Sequence, residues 1–177
     1  MSSTRIRRAG RKTGPKPRFT REDVINAAVE LGIDRFTLGA VAAKLGIATS
    51  AMYRLFESRD ALVDACLAQA AAEIGMIMLD DELPWPELLR NWAETTWNIC
   101  EKYPGLDITI FQYTQSFSHV RGFTQHAMGI LMAQGFARSE ALFALDFIGD
   151  TVLATHIGMS AMRHSPEGMD IVARTIT

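Results

Sequence analysis

Apolar residues recur along most of the chain at intervals of three and four, which is the spacing of one face of a helix. Leu38, Val41, Ala42 and Leu45 show this spacing within one short segment. Runs that alternate apolar and polar residues are nearly absent, whereas Ala, Leu and Met are abundant. The pattern predicts an all-α protein of 177 residues, which is long enough to bury a hydrophobic core without stabilising disulfide bonds or metal ions.

Capping residues and helix breakers divide this pattern into about nine predicted helices. Thr20, Thr37 and Ser58 can cap helix starts, and Gly46 and Gly135 can end helices. The predicted ranges are about 21–31, 37–46, 48–55, 58–77, 86–102, 106–114, 119–134, 140–163 and the last eleven or so residues. Acidic residues and prolines at 80–86 predict a loop between the fourth and fifth helices.

The second and third predicted helices meet at Gly46, a residue that permits the tight turn of a helix-turn-helix motif. Ile47, Met52 and either Leu55 or Phe56 can face inward. The other face of the third helix is small and polar, as a helix that enters a DNA major groove requires. Its outward residues are Thr49, Ser50, Tyr53 and Arg54.

Charge is divided unevenly along the chain. Residues 1–60 contain twelve Lys or Arg and six Asp or Glu, whereas 61–177 contain six and fourteen. Residues 1–19 form a predicted flexible basic arm that includes Arg18 and can lie along phosphates, although a merely solvated tail is the alternative. The basic end is therefore expected to face DNA, with the acidic remainder directed away.

Other classes of function find little support in the sequence. Cys66 and Cys100 lie in apolar helical patterns and are expected to be buried thiols. The four histidines lack metal-ligand spacing, and no catalytic or phosphate-binding motif is present, so we expect no metal, no cofactor and no enzyme activity. The two buried thiols fit a reducing cytoplasm. The apolar stretch at 142–162 contains Asp146, Asp150 and His156, which argue against a membrane span.

Taken together, these motifs resemble the tetracycline-repressor (TetR) family of bacterial transcription regulators over roughly residues 20–63. The resemblance rests on Thr37-Leu38, the segment 42–47, the pair Tyr53 and Phe56, and the segment 58–62. Ala48 departs from the family pattern, which usually has Ser there, so we expect helix capping to shift to Thr49.

The resemblance implies three functional regions. It implies three domains: the arm at 1–19, a helix-turn-helix DNA-binding domain at 20–57, and a ligand-binding and dimerisation domain at 58–177. Tyr53 is expected to pack its ring inward and direct its hydroxyl to a phosphate, and Arg59 is expected to contact another phosphate. The predicted DNA-binding residues are Arg18, Thr37, Leu38, Thr49, Ser50, Ala51, Tyr53, Arg54 and Arg59.

In the remaining helices, aromatic walls with a few polar groups predict a pocket for a small-molecule effector. The predicted pocket residues are Trp92, Thr96, Ile99, Tyr103, Phe111, Phe123, Ala127, Ile130, Leu131, Phe147, Asp150 and Thr151. A second stripe of small residues on the eighth helix predicts a dimer interface, with packing inside one chain as the alternative. That stripe is Gly149, Leu153, Ile157 and Ser160.

The sequence therefore predicts a homodimeric transcription regulator that binds palindromic double-stranded DNA and is released from it by a small molecule. The predicted role is that of a repressor. The alternative is a soluble helical carrier or scavenger of small molecules with a vestigial DNA-binding head. Salt-sensitive binding to a specific DNA site separates the two.

Overall fold

A computed structural model describes residues 19–77, 82–113 and 116–165 of the chain. The described residues form eight helices and no strand, which confirms the all-α prediction. The helices are α1 (Arg21–Leu31), α2 (Leu38–Leu45), α3 (Thr49–Met52), α4 (Arg59–Ile77), α5 (Trp85–Lys102), α6 (Leu106–Gln112), α7 (Ser116–Ala133) and α8 (Arg138–His164).

Most helix boundaries lie within three residues of their predicted positions, and the clearest difference is in α3. The sequence predicts a helix at 48–55, but the regular helix ends at Met52 and continues as hydrogen-bonded turns. Leu55 and Phe56 both donate from the backbone to the Met52 carbonyl, at 2.9 and 3.0 Å. The predicted ninth helix and the basic arm with Arg18 lie outside the described residues.

A first core joins the head, α1 to α3, to the rest of the molecule. Its fully buried side chains in the head include Val24, Val41, Met52 and Phe56. The same core continues through α4 to Tyr103 at the end of α5 and includes residues from α6 and α8. Since each buried aliphatic or aromatic side chain contributes about 1.5–3 kcal/mol, the head and the body stabilise one another.

A second core lies between α5, α7 and α8, further from the head. Leu88, Trp92, Leu131 and Leu145 are buried there.

The two cysteines belong to the first core, where Cys66 and Cys100 are buried, as predicted, and form no disulfide. Burial raises the pKa of each thiol to about 12, so neither is a reactive thiolate near neutral pH.

Backbone and side-chain hydrogen bonds also connect the head to the body. The Ile33 amide, in the loop between α1 and α2, donates to the Pro104 carbonyl between α5 and α6 at 2.8 Å. Gly105 has a φ of +82°, and a Cβ there would overlap the Asp34 carboxylate. The loop of the head therefore packs closely on the α5–α6 turn, and only glycine fits at the point of approach.

The longest helix, α8, is apolar on more than one side. One side packs against α5 and buries Leu145 and Leu153, while the other exposes large apolar side chains. The helix is long and apolar enough to cross a membrane by length and composition, but a single helix of this kind is weak evidence for a span. An exposed apolar face on a globular protein is more typical of a protein interface.

Candidate nucleic-acid interface

The turn between α2 and α3 has the geometry that the sequence predicts. The Thr37 hydroxyl accepts from the Ala40 amide at 3.1 Å and so caps α2. Gly46 ends α2 with φ +65° and ψ +32°, in the left-handed region where glycine carries no Cβ penalty. The chain can therefore reverse direction within the few residues before Thr49.

The inner side of α3 and the turn after it are firmly anchored. Met52 and Phe56 are buried in the first core. Arg21 of α1 donates to the Leu55 carbonyl at 2.8 Å and places its guanidinium 4.0 Å from the centre of the Phe56 ring. This arrangement holds the outer side of α3 in one orientation without help from a ligand.

The outer side of α3 carries exposed small and polar residues. Tyr53 is 57% exposed, so the expectation that its ring packs inward is wrong. Ala48 is the N-cap of α3 and makes no side-chain cap hydrogen bond, and the expected shift of the cap to Thr49 is wrong. The exposed predicted contacts are Thr37, Thr49, Ser50, Tyr53 and Arg54, with Leu38 and Ala51 partly buried beside them. Their role in DNA binding stays a prediction.

Arg59 is placed differently from the sequence-based expectation of a phosphate contact. Its guanidinium donates to the carbonyls of Ile33, Asp34 and Phe36 at 2.8–3.1 Å, and to the Tyr113 hydroxyl at 3.0 Å. Arg59 is the first residue of α4 and lies beneath the α1–α2 loop, where these carbonyls need a donor. The side chain therefore joins the head to α4 and α6 and does not extend toward solvent.

The described part of the head carries few cations on its outer side. Lys44 pairs with Glu30 at 2.8 Å, and Arg59 is directed inward. Arg21 and Arg35 are exposed but donate to backbone carbonyls of the head, and Arg54 is exposed. The remaining positive charge of this end resides in residues 1–18, which contain seven Lys or Arg and lie outside the described residues. Electrostatic attraction to DNA would therefore depend heavily on that segment.

The predicted pocket residues lie in different surroundings in the described part of the chain, and their role in binding an effector stays a prediction. Helical spacing shows which residues share a face, but it does not show what covers that face. The set divides into three groups: Trp92, Phe123, Ala127, Ile130 and Leu131 in or against the second core, Ile99 and Tyr103 in the first core, and Phe111, Phe147, Asp150 and Thr151 exposed. The Thr96 hydroxyl donates within α5 to the Trp92 carbonyl at 2.7 Å.

Part of the stripe predicted as the dimer interface packs inside the chain. Leu153 is buried in the first core, and a Cβ built on Gly149 would lie 3.5 Å from Trp92 Nε1 of α5. Ile157 and Ser160 line a cavity beside the α5–α6 turn. Gly149 and Leu153 thus pack within the chain, as the intrachain alternative expects, and a role of Ile157 and Ser160 in a dimer stays a prediction.

The opposite face of α8 is the one left exposed. Phe143 and Phe147 are 68% and 61% exposed and stack with ring centroids 5.7 Å apart. Leu142, Met159 and Met162 are also exposed on this helix. Helical spacing alone did not assign this face to a partner, although a helix that is apolar on all sides is typical of one that packs on two faces.

Comparisons with known proteins agree with this architecture. Residues 25–66 match the family described as bacterial regulatory proteins, tetR family. No curated protein matches the chain significantly.

Solved structures with the same fold include a TetR variant from Acinetobacter baumannii AYE in complex with minocycline, at 24% identity and a TM-score of 0.69, covering 82% of this chain and 78% of the other. TetR from the same organism is 22% identical with a TM-score of 0.63, covering 89% and 86%. A tetR-family transcriptional regulator from Streptomyces coelicolor is 18% identical with a TM-score of 0.62, covering 89% and 76%.

Proposed function

We propose that this chain, which matches the tetR family over residues 25–66 and has the fold of TetR proteins, represses transcription by binding a palindromic operator as a homodimer. A small-molecule effector would release it from the DNA, in a cytoplasmic setting. The observation that carries the proposal is the exposed outer side of α3, which is held rigidly by buried residues on its inner side. A preorganised surface of this kind suits insertion into a major groove.

The chemistry of that surface supports contacts to bases and to phosphates. Arg54 can donate two hydrogen bonds to a guanine, and the Thr49 methyl and Ala51 can contact a thymine methyl. The exposed hydroxyls of Ser50 and Tyr53 are suited to phosphate oxygens. Since α3 and the turn after it offer one long cationic side chain, Arg54, few base contacts are available and much of the affinity is expected to be electrostatic and sensitive to salt.

The exposed face of α8 supports the homodimer. Phe143 and Phe147 would be removed from water by the same face of a second copy, in the two-fold arrangement common among homodimers. A dimer is also what a single helix-turn-helix needs, because two recognition helices about 34–36 Å apart read two half-sites of a palindrome. An effector would act by favouring one spacing of these helices, with a coupling of about 1–3 kcal/mol.

Selection of a binding site from random double-stranded oligonucleotides tests the DNA half of this proposal. Binding of the selected site is measured by fluorescence anisotropy at 50 and 200 mM salt, and six to ten phosphate contacts would weaken it by about 10³–10⁵. Substituting both Tyr53→Phe and Arg54→Met should weaken binding by about 100-fold, since each contact contributes about 1–3 kcal/mol.

Arg138→Met is the matched control, because Arg138 is an exposed cation at the start of α8, beside the second core. Its affinity for the selected site should stay within about twofold of the unmodified protein. Failure to select any site, or full affinity in the double variant, would refute the assignment of α3 to the groove. The carrier alternative predicts ligand binding with no selected DNA.

A further inference from the structure

The α1–α2 loop of the head is held from two sides at a single residue. The amide of Ile33, which is fully buried, donates to the Pro104 carbonyl of the α5–α6 turn at 2.8 Å. The Ile33 carbonyl accepts from the Arg59 guanidinium of α4 at 3.1 Å. We call these two contacts the loop clamp, because they fix the loop between α4 and the α5–α6 turn.

The α5–α6 turn approaches the loop more closely than a side chain would allow. A Cβ built on Gly105, which has a φ of +82°, would overlap the Asp34 carboxylate and lie 2.9 Å from the Asp34 backbone nitrogen. Rotation of the Asp34 side chain relieves the first overlap, but the second contact involves the backbone. An alanine at Gly105 therefore has to displace the loop itself, since packed interiors transmit such strain.

Helix α6 connects this turn to α8 by a route that does not include α4. It begins at Leu106, directly after the turn. A carboxylate oxygen of Asp107 lies 2.6 Å from Nδ1 of His156 on α8, and both residues are buried. Since α8 carries the face proposed for the dimer, the position of the head relative to the two-fold axis depends on this route as well as on α4.

The two routes meet again at the far end of α6. The Arg59 guanidinium donates to the hydroxyl of Tyr113, the C-cap of α6, at 3.0 Å, and this hydroxyl donates to Asp60 of α4 at 2.8 Å. The loop, α4 and α6 thus form a closed ring of contacts. A rotation of the head about α4 alone would break the Ile33–Pro104 hydrogen bond, so the ring holds the head in one orientation.

The orientation of the head matters because a dimer reads two half-sites at once. One base pair more or less changes the separation of the half-sites by about 3.4 Å and their relative rotation by about 34°. We propose that the loop clamp makes this chain selective for one spacing of its operator half-sites, with Gly105 as the positioning residue that sets the spacing. This inference rests on the proposed function, since it takes DNA as the ligand and a second copy of the chain as the partner.

The unmodified protein provides the first test. Fluorescence anisotropy measures its affinity for the selected operator and for versions with one or two base pairs added or removed between the half-sites. A clamped head cannot follow the displaced half-site, so each change should weaken binding about tenfold or more. A selected operator that tolerates these changes without loss of affinity would overturn the inference and leave the proposed function intact.

Gly105→Ala tests the residue itself, with Gly135→Ala as the matched control. Gly135 follows α7 with a φ of +103°, so both substitutions strain the backbone, but a Cβ at Gly135 meets nothing within 4 Å. Gly105→Ala should bind the selected operator about tenfold more weakly and should favour a different spacing. Gly135→Ala should keep both the affinity, within about twofold, and the spacing preference. Identical spacing preferences in the two variants would refute the role of Gly105.

Asp34→Ala in the Gly105→Ala background separates the contact from backbone strain. The second change removes the overlapping carboxylate and leaves the positive φ at residue 105 as it was. It should therefore restore part of the original spacing preference. No restoration would mean that the effect of Gly105→Ala does not come from its contact with the loop.

Amide hydrogen exchange at Ile33, followed by NMR, tests the loop clamp without DNA. This amide should be protected in the unmodified protein and in Gly135→Ala, and should exchange about tenfold faster or more in Gly105→Ala. Equal protection in both variants would overturn the loop clamp. Failure to select any operator, by contrast, would refute the proposed function while this measurement still reports on the contact.

Discussion

Arg59 provides the sharpest test of the structure, because the sequence and the fold assign it different roles. Replacing it with Met removes four hydrogen bonds, three of them to backbone carbonyls of the head. It also removes a cation whose guanidinium lies 4.9 Å from the centre of the Phe36 ring. The aliphatic part of the side chain is largely retained, so the change reports mainly on the lost donors.

The expected loss of stability follows from these contacts. Hydrogen bonds to a charged group contribute about 1.5–3 kcal/mol each, but Arg59 is only partly buried and water can replace part of the loss. We therefore expect Arg59→Met to lower the free energy of unfolding by about 2–4 kcal/mol. Arg59→Lys should recover less than half of this, since one ammonium cannot span the carbonyls that the planar guanidinium reaches.

Urea unfolding followed by far-ultraviolet circular dichroism at one fixed protein concentration measures this change. Arg54→Met is the matched control, because Arg54 is an exposed arginine of the same head and should change stability by less than about 0.5 kcal/mol. If Arg59→Met is as stable as the control and instead lowers the salt dependence of DNA binding by one contact, Arg59 binds phosphate and the structural assignment fails.

Two further predictions concern α8. Phe147→Glu should shift the chain from dimer to monomer in sedimentation equilibrium, because it places a charge in the proposed interface. Phe117→Glu on α7 changes a similarly exposed phenylalanine and should leave the dimer intact. A dimeric Phe147→Glu variant would contradict this interface. Burial, and to a smaller extent the charge of the neighbouring Asp150, raises the pKa of Asp146. The ionised carboxylate therefore lowers the free energy of unfolding at neutral pH, and this destabilisation disappears as pH falls through the raised folded-state pKa. Asp146→Asn should therefore raise the melting temperature at pH 7 and have little effect near pH 4, as measured by thermal melts across pH; equal effects at both pH values would refute this reasoning.

Local interactions explain why the head could be predicted from its sequence. Thr20 and Asp23 form the two reciprocal hydrogen bonds of a capping box, and Thr37 caps α2 from three residues away. Gly46 adopts the left-handed conformation that ends that helix. Each of these signals acts over a few residues, so the sequence alone determined where α1 and α2 begin and where α2 ends. The third helix has no side-chain cap, and the sequence did not determine its end.

The directions of side chains between helices were decided by tertiary packing. Arg59 turns inward because the carbonyls of residues 33, 34 and 36 lie above it, and α8 places its small stripe against α5 and leaves Phe147 exposed. His156 meets Asp107 across 49 residues of chain. Helical periodicity indicates which residues share a face, but the rotation of one helix against another depends on how all their side chains pack together, so only the folded chain determines which face is buried.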